Sequence, residues 1–312
     1  MSHLLTGFFI ETVFSLQTAL DLSAPATDAI LINRKNAWIQ LAGHPGSFAP
    51  AGPHTIWKKR MAKENYELKA YQSLMDSPTT QDIIPEFHRE VEHNGEYFIE
   101  IEDLLQHFKD PNIMDIKMGK RTFLESEVKN PVLRKDLYQK MIDLNPNAPT
   151  EEERKQEAIT KLRYMQFREE GSSTATLGFR IEAVKKSGEA PITSLKKIKH
   201  KSQVKKACVN FLLIEHCMVL PWGILVLKGQ KKVEKTHLIP MLLQIIGSSL
   251  LIMYDESGHC GVWLIDFAKT IPVENGMILY HNLPWLLGNH EDGFLSGLDN
   301  LIDVRIFCHS CK

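Results

Sequence analysis

The chain has 312 residues, enough to bury the core of a two-lobed domain or of two domains. Its net charge is −1 with histidine neutral, and 24% of its residues are charged, so no global basic field indicates nucleic-acid binding and any phosphate site must be local. Five cysteines, the first of them Cys208, do not have the pattern of a disulfide framework and favour a reducing, cytoplasmic setting.

Two apolar stretches of the sequence are long enough to be considered as a signal peptide or a membrane span. Residues 4–22 contain Glu11 and lack a basic leader, and residues 209–227 are interrupted by Pro221, so neither run predicts a signal peptide or a membrane span. Residues 1–34 show no clear period and are interpreted as an N-terminal extension.

The next part of the chain has the order of elements of a kinase small lobe. Residues 38–48 predict a strand running into a glycine-rich turn, where backbone amides and the Ser47 hydroxyl suit phosphates. Residues 55–59 predict a short strand carrying Lys58, and residues 63–75 predict a helix. Strand, glycine turn, strand with lysine and helix follow one another in this way in kinases.

A linker between two lobes is predicted next. The apolar strand 96–102 opens into Glu102, Asp103 and Leu104, where the linker of a kinase offers backbone groups to adenine. A plain edge strand followed by a turn accounts for the same residues equally well.

The most informative stretch is 111–119, Pro-Asn-Ile-Met-Asp-Ile-Lys-Met-Gly. If 112–118 is a strand, Asp115 and Lys117 lie two residues apart and project from the same face. Gly119 then allows a sharp turn. A carboxylate, an ammonium and a glycine turn at a strand end suit phosphate chemistry, whereas the alternative is a strand with an ordinary ion pair.

Residues 121–186 have a helical pattern. The predicted helices are 122–128, 133–144 and 151–169. Thr150 and Glu153 form a capping box at the start of the last one.

In that predicted helix Lys161, Tyr164 and Arg168 share one face. Two cations beside a tyrosine can bind a polyanion, and Arg134 and Lys185 are candidates to add to them. The alternative is a solvated charged surface.

The remaining stretches complete the predicted core. Residues 187–206 predict a mobile loop with a solvated basic run, and residues 246–255 and 262–270 predict two buried strands joined by a turn. Asp266 stands at the exit of this hairpin, as the metal-binding aspartate of a protein kinase does. Residues 291–301 predict a helix packed under the site.

These motifs together resemble the inositol polyphosphate kinase family and, within it, the inositol 1,4,5-trisphosphate 3-kinases. The family pattern PxxxDxKxG is matched by Pro111, Asp115, Lys117 and Gly119. The stretches similar to the 3-kinase branch are WIQLAGHPGSF at 38–48, residues 133–150, RYMQFR at 163–168, SSTATLGFRI at 172–181, IGSSLL at 246–251 and GVWLIDFAKT at 261–270.

The resemblance implies an α+β, two-lobed, protein-kinase-like fold, related to ATP-grasp enzymes. It implies a catalytic domain over residues 35–312, with a helical insert at 121–186 that binds inositol phosphate.

The resemblance also implies roles for individual residues. ATP is expected to contact Ser47, Lys58, Glu102, Asp103, Leu104, Asp115, Ser249 and Asp266. Mg²⁺ is expected at Asp266 and Ser249, catalysis at Lys117, Asp115 and Asp266, and the substrate at Lys117, Arg134, Lys161, Tyr164, Arg168 and Lys185. Phosphoryl transfer needs positioning, a divalent metal and cations on the transferring group, which this set supplies.

The expected activity is ATP- and Mg²⁺-dependent phosphorylation of the 3-hydroxyl of inositol 1,4,5-trisphosphate to give inositol 1,3,4,5-tetrakisphosphate. One alternative is a multikinase of broader specificity, against which the large insert argues because it encloses the substrate. Another is a catalytically impaired inositol-phosphate-binding variant.

Some residues depart from the family pattern. Residues 207–243 and 305–312 diverge from the family, which fits a diverged lineage, an alternative exon or an error in the gene structure. Ala268 replaces the glycine of a DFG-like triplet. Family members often bind calmodulin through a basic amphipathic segment, and residues 1–34 contain no such segment.

Overall fold

The computed structural model describes residues 47–60, 66–78, 80–212, 243–273 and 277–304. The small lobe consists of a four-stranded antiparallel sheet and one helix. Its elements are β1 (Phe48–Pro50), β2 (Thr55–Lys59), α1 (Tyr66–Met75), β3 (Phe87–His93) and β4 (Glu96–Glu102), and the strand order is β1-β2-β4-β3. The predicted strands 55–59 and 96–102 are therefore confirmed.

Helix α1 covers one face of this sheet. Leu68, Tyr71 and Leu74 recur every three residues and are buried, which gives the helix its apolar stripe. The predicted helix 63–75 is confirmed from Tyr66 onward, while its first residues and the predicted strand in 38–48 lie outside the described residues, apart from the start of β1.

The large lobe is built on a second antiparallel sheet. In chain order its elements are β5 (Asn112–Met118), β6 (Leu133–Arg134), α2 (Lys135–Leu144), α3 (Glu151–Gln156), β7 (Ile159–Thr160), α4 (Lys161–Glu170), α5 (Thr174–Leu177), β8 (Phe179–Lys185), α6 (Lys201–Leu212), β9 (Leu243–Ile245), β10 (Ser249–Tyr254), β11 (Cys260–Ile265), β12 (Thr270–Pro272) and α7 (Phe294–Asp303). The main sheet has the order β11-β10-β5-β8, so the strand of the PxxxDxKxG motif is central.

The two faces of β5 differ as predicted. Met114, Ile116 and Met118 enter the main core, which continues into the small lobe, whereas Ile113 lies in a separate cluster with Leu104. Strand β5 therefore has one face in the core and one toward the linker between the lobes.

The predicted helical segment 121–186 differs from its prediction in three places. Its last residues, Phe179–Lys185, form strand β8 of the main sheet and are not helical. Only Glu125–Glu127 of the predicted helix 122–128 is helical, as a single 3₁₀ turn. The predicted helix 151–169 is broken because Glu157 has a left-handed backbone (φ 47°) and Thr160 caps a new helix by accepting from the amide of Arg163. The capping box of Thr150 is confirmed.

The prediction of a loop over 187–206 is also wrong in part. A 3₁₀ turn covers Ser194–Lys197, and α6 begins at Lys201. Val204 and Cys208 are fully buried on one face of α6. Their packing stabilises a helix in a segment where the many lysines would otherwise favour an exposed loop.

The other C-terminal elements follow the prediction except in the second strand, β11, which ends at Ile265 and has only Leu264 buried. Strands β10 and β11 form the expected hairpin, and α7 occupies most of the helix predicted at 291–301. The extension 1–34, residues 213–242 and residues 305–312 lie outside the described residues. No helix in the described part of the chain combines the length and apolar character that a bilayer crossing requires.

Candidate active site

One face of the large-lobe sheet changes from polar to apolar along its strands. Ser249 lies opposite Lys117 in the register of β10 and β5, Leu251 lies opposite Asp115, and Met253 lies opposite Ile113. Met253 and Ile113 form a cluster with Leu104 at the linker, so the polar groups are at one end of the face and the apolar groups at the other.

A lysine and two carboxylates join the two lobes at the polar end. Lys58 Nζ lies 2.5 Å from Glu67 Oε1 of α1 and 3.0 Å from Asp266 Oδ1. Burial alone would lower the pKa of Lys58, but the two carboxylates outweigh it and raise the pKa above its usual range. Phe267 N also donates to Glu67 Oε1, so the helix of the small lobe is tied to the residue after Asp266.

Glu67 was not predicted from the sequence. A lysine on a small-lobe strand paired with a glutamate on the following helix is the arrangement that organises the site of protein kinases. The signal was available, since Glu67 lies nine residues after Lys58 at the start of the predicted helix.

Asp266 follows β11 with a left-handed backbone (φ 67°), a conformation that is costly outside glycine and recurs at functional sites. Its side chain is 45% exposed. Burial would raise its pKa, but Lys58 and Lys117 outweigh this and lower the pKa to about 2. The carboxylate is therefore ionised at neutral pH. Ser249, predicted beside it, is buried and lies opposite Ile265, the residue before Asp266.

Asp115 and Lys117 do not form the ordinary ion pair of the alternative interpretation. Lys117 Nζ donates to Gly247 O at 2.7 Å, and no salt bridge among the described residues joins it to Asp115. Asp115 is buried with its Oδ1 lacking a hydrogen-bond partner, and burial raises its pKa to about 6 despite the nearby charge of Lys117. Both side chains thus have bonding capacity left for a ligand.

The cations of the insert contact neighbouring side chains of the insert. Lys161 Nζ lies 2.7 Å from Glu127 Oε1, and Arg168 Nη1 donates to Tyr164 Oη at 3.4 Å. The predicted stripe of Lys161, Tyr164 and Arg168 is therefore carried by α4 alone, a shorter helix than the sequence indicated.

Lys269 joins these cations and was also missed from the sequence. Its Nζ donates to Thr122 O at 3.1 Å. Burial, followed by the charges of Lys161 and Lys117, lowers its pKa to about 8. Lys269 therefore lies among the cations of the insert and of β5, three residues after Asp266.

Two predicted substrate residues are not brought into this cluster. Arg134 is exposed and its guanidinium binds Asp136 at 2.7 and 2.9 Å. Lys185 lies opposite Ile113, at the far end of β8 from the residue paired with Lys117. It is buried and donates to Asp110 Oδ1 at 2.7 Å.

The linker residues connect the lobes through their own hydrogen bonds. Asp103 N donates to His54 O at 2.8 Å, and the Asp103 carboxylate accepts from Leu105 N. Glu102 Oε1 lies 2.7 Å from His107 Nε2.

Ser47, at the end of the predicted glycine-rich turn, accepts from the amide of Lys59 through its carbonyl, while residues 43–46 lie outside the described part of the chain.

Two lobes joined by a linker, a Lys58–Glu67 pair, an aspartate after a hairpin and a group of lysines beside it define the class of kinase-like proteins. A sequence profile described as inositol polyphosphate kinase matches residues 98–305. The chain belongs to the inositol polyphosphate kinase family, and the predicted family membership is confirmed.

Relatives within this family are similar over most of the chain. It is 46% identical over 286 residues to the inositol-trisphosphate 3-kinase homolog of Caenorhabditis elegans, an alignment that covers 91% of this chain and 58% of the relative. It is 44% identical over 279 residues to human inositol-trisphosphate 3-kinase B and 42% identical over 279 residues to human form A. Those two alignments each cover 87% of this chain and 28% and 59% of the relatives, respectively. The chain thus spans less than two thirds of the length of each of these relatives.

The fold has a counterpart among solved structures. The crystal structure of the inositol phosphate multikinase Ipk2 of S. cerevisiae, in complex with ADP and Mn²⁺, superimposes with a TM-score of 0.50 at 18% identity. The match covers 80% of this chain and 97% of that one. The kinase-like fold predicted from the sequence is confirmed.

Proposed function

We propose that the protein transfers the γ-phosphate of ATP to the 3-hydroxyl of inositol 1,4,5-trisphosphate and forms inositol 1,3,4,5-tetrakisphosphate. The observation that carries the proposal is the position of Lys117. It stands on β5 opposite Ser249, which pairs with the residue before Asp266, and its charge acts on both Asp266 and Lys269. The identity of 42–46% to inositol-trisphosphate 3-kinases supports the choice of substrate.

The nucleotide is proposed to lie along the face of the large-lobe sheet that changes from polar at Ser249 to apolar at Met253. Leu104, Ile113 and Met253 offer an apolar surface for adenine next to the linker, where Glu102 and Asp103 supply backbone groups. Lys58, held by Glu67, would bind the ATP phosphates at the other end, and Ser47, whose carbonyl accepts from the amide of Lys59, is the second proposed phosphate contact. Asp115, with its unpartnered Oδ1, would accept a hydrogen bond from the ribose.

The residues present fit a divalent metal. The ionised, half-exposed carboxylate of Asp266 is the hard oxygen ligand that Mg²⁺ prefers, with Ser249 close by. The described residues contain no group of three or more acidic, histidine or cysteine side chains able to hold a metal by itself, so the cation would share its ligands with ATP phosphates. When bound, it would neutralise charge on the phosphates.

The acceptor is proposed to bind between α4 and the catalytic strand. Lys161, Arg168 and Lys269 would hold its phosphates, since charge-assisted hydrogen bonds to phosphate are strong and oriented. Tyr164, which accepts from Arg168, would fix the guanidinium. Arg134 stays a prediction at the edge of the insert. Lys185 is left out of the proposed acceptor site because it lies opposite Ile113 and its ammonium donates to three protein acceptors, Asp110 Oδ1 and two backbone carbonyls.

Chemistry at this site would depend on charge and geometry. Lys117 donates to Gly247 O, which fixes its ammonium near Asp266 and Lys269. There it would neutralise charge on the transferring group and orient the attacking hydroxyl.

A cytoplasmic location is part of the proposal and rests on the cysteine usage.

The test is a panel of soluble inositol phosphates assayed with ATP and Mg²⁺. Preferred turnover of inositol 1,4,5-trisphosphate supports the proposal, whereas equal rates on several acceptors would make the protein a multikinase. Binding of labelled inositol trisphosphate without any turnover of ATP would indicate a non-catalytic binding protein. A catalytically silent Lys117→Ala variant serves as the background control.

A further inference from the structure

Strand β8 carries a buried acid beside the phosphate-binding cations. In the pairing of β5 with β8, Asp115 lies opposite Ala183 and Ile116 lies opposite Ile181. Glu182 is the additional residue of this β-bulge, and a bulge of this kind redirects a side chain next to a functional site. Glu182 is 7% exposed.

The carboxylate of Glu182 is held between two cations. Glu182 Oε1 accepts from Arg180 at 2.7 and 2.8 Å, and Glu182 Oε2 lies 3.3 Å from Lys196 Nζ. Burial would raise the pKa of Glu182, but Arg180, Lys117, Lys196 and Arg168 outweigh it and lower the pKa to about 2. The acid is therefore ionised and close to cations from β5, from the insert helix α4 and from the 3₁₀ turn after β8.

The 3₁₀ turn that carries Lys196 is fixed in place from two sides. Ile192 and Val184 exchange backbone hydrogen bonds of 2.7 and 3.0 Å, and Ser173 N donates to Ile198 O at 2.9 Å. Lys196 is half-buried, whereas its neighbour Lys197 is exposed. The turn therefore presents one lysine to Glu182 and the next to solvent.

We propose that Lys196 binds a phosphate group of the inositol phosphate, and that Glu182 is the positioning residue that holds Lys196 for it. Arg180 is committed to the protein, because its guanidinium donates to Glu182 and to Thr174 Oγ1. In the described part of the chain Lys196 has a single ion pair, with Glu182, so N–H groups of its ammonium remain for a phosphate. This inference rests on the proposed function.

The test compares Lys196→Gln with Lys197→Gln, which removes the same charge one residue away. We expect Lys196→Gln to raise the KM for inositol 1,4,5-trisphosphate about tenfold, the effect of losing one charge-assisted hydrogen bond, and to leave the KM for ATP within about twofold. Lys197→Gln is expected to change neither. Equal effects of the two variants, or no effect of Lys196→Gln, would overturn the inference.

Glu182→Gln tests the positioning role. It is expected to raise the KM for the inositol phosphate in the wild-type background and to add no further increase in the Lys196→Gln background, because the two residues act through one contact. Additive effects in the double variant would contradict the role given to Glu182. A merely structural Glu182 would lower the thermal midpoint and leave both KM values unchanged.

The proposed function and the proposed role of Lys196 can be refuted independently of each other. If the wild-type protein turns over inositol trisphosphate and Lys196→Gln matches it, only the inference about Lys196 is lost. If the wild type shows no turnover, the proposed function fails, and calorimetric binding of inositol trisphosphate to wild type, Lys196→Gln and Lys197→Gln still decides whether Lys196 binds phosphate.

Discussion

Lys269 makes the proposed enzyme sensitive to pH just above neutrality. Lys269 is half-buried, and desolvation together with the charges of Lys161 and Lys117 lowers its pKa to about 8. Because only the protonated form attracts a phosphate, raising the pH through 8 is expected to weaken capture of the inositol phosphate. Replacing Lys269 with arginine, which stays charged throughout, is expected to remove this loss.

The magnitude follows from the titration. With a pKa of about 8, roughly nine tenths of Lys269 is protonated at pH 7 and roughly one tenth at pH 9, so kcat/KM for inositol 1,4,5-trisphosphate is expected to fall about tenfold over this range. The quantity kcat/KM is the appropriate one because it reports the groups of the free enzyme.

Substrate phosphates also titrate near neutrality, so the assay compares variants and not absolute profiles. The ratio of kcat/KM for Lys269→Arg to that for wild type is measured from pH 6.5 to about 9.5 with ATP saturating. The ratio is expected to rise by about tenfold between pH 7 and pH 9, because the substrate contribution cancels. A ratio that stays flat would refute the placement of Lys269 among the phosphate-binding cations.

Three further substitutions test separate parts of the site. Lys117→Ala is expected to reduce kcat by roughly 10²-fold or more while ATP still binds, measured by turnover and by nucleotide titration. Arg168→Ala is expected to weaken inositol trisphosphate binding by about 1.5 to 3 kcal/mol and to leave ATP affinity nearly unchanged, measured by calorimetry. Glu67→Ala removes one of two carboxylates at Lys58 and the acceptor of Phe267 N, so it is expected to lower the free energy of unfolding by about 3 kcal/mol and to raise the KM for ATP.

Matched controls separate these effects from general ones. Lys155→Ala removes an exposed cation from the neighbouring helix α3, and Lys69→Ala alters an exposed position on the same helix as Glu67. An equal loss of ATP affinity in Arg168→Ala would mean that α4 does not bind the acceptor. Unfolding of Glu67→Ala at the wild-type denaturant concentration would show that Glu67 does not hold Lys58.

The predictable parts of this fold are those specified by short-range patterns. Strand β5, the hairpin that ends at Asp266 and the capping box of Thr150 were all found from alternation, turn residues or cap spacing. The break at Glu157 was missed because a left-handed glutamate leaves no mark in the hydrophobic period. Helix α6 was missed because its lysines obscure a narrow buried stripe.

The site was predicted where the family pattern covers it and missed where long-range packing builds it. Lys58, Lys117 and Asp266 were named from motifs, and the structure brings them together. Glu67 and Lys269 gain their positions only from contacts between distant segments, such as that of Lys269 with Thr122. The same limit explains the inclusion of Lys185. The sequence placed it in a helical segment, whereas it ends strand β8, and its position opposite Ile113 follows from the register with β5.

Transfer of a phosphate to the 3-hydroxyl is tested by determining which hydroxyl of the inositol ring carries the new phosphate. Purified protein is incubated with inositol 1,4,5-trisphosphate, ATP and Mg²⁺, the product is identified by phosphorus and proton NMR, and Asp266→Asn protein of verified thermal midpoint serves as the matched control. The wild type is expected to give a single product phosphorylated at the 3-hydroxyl, and Asp266→Asn is expected to have strongly reduced activity and a steeply raised Mg²⁺ requirement. Transfer to another hydroxyl, or full activity of a well-folded Asp266→Asn protein, would contradict the proposed function.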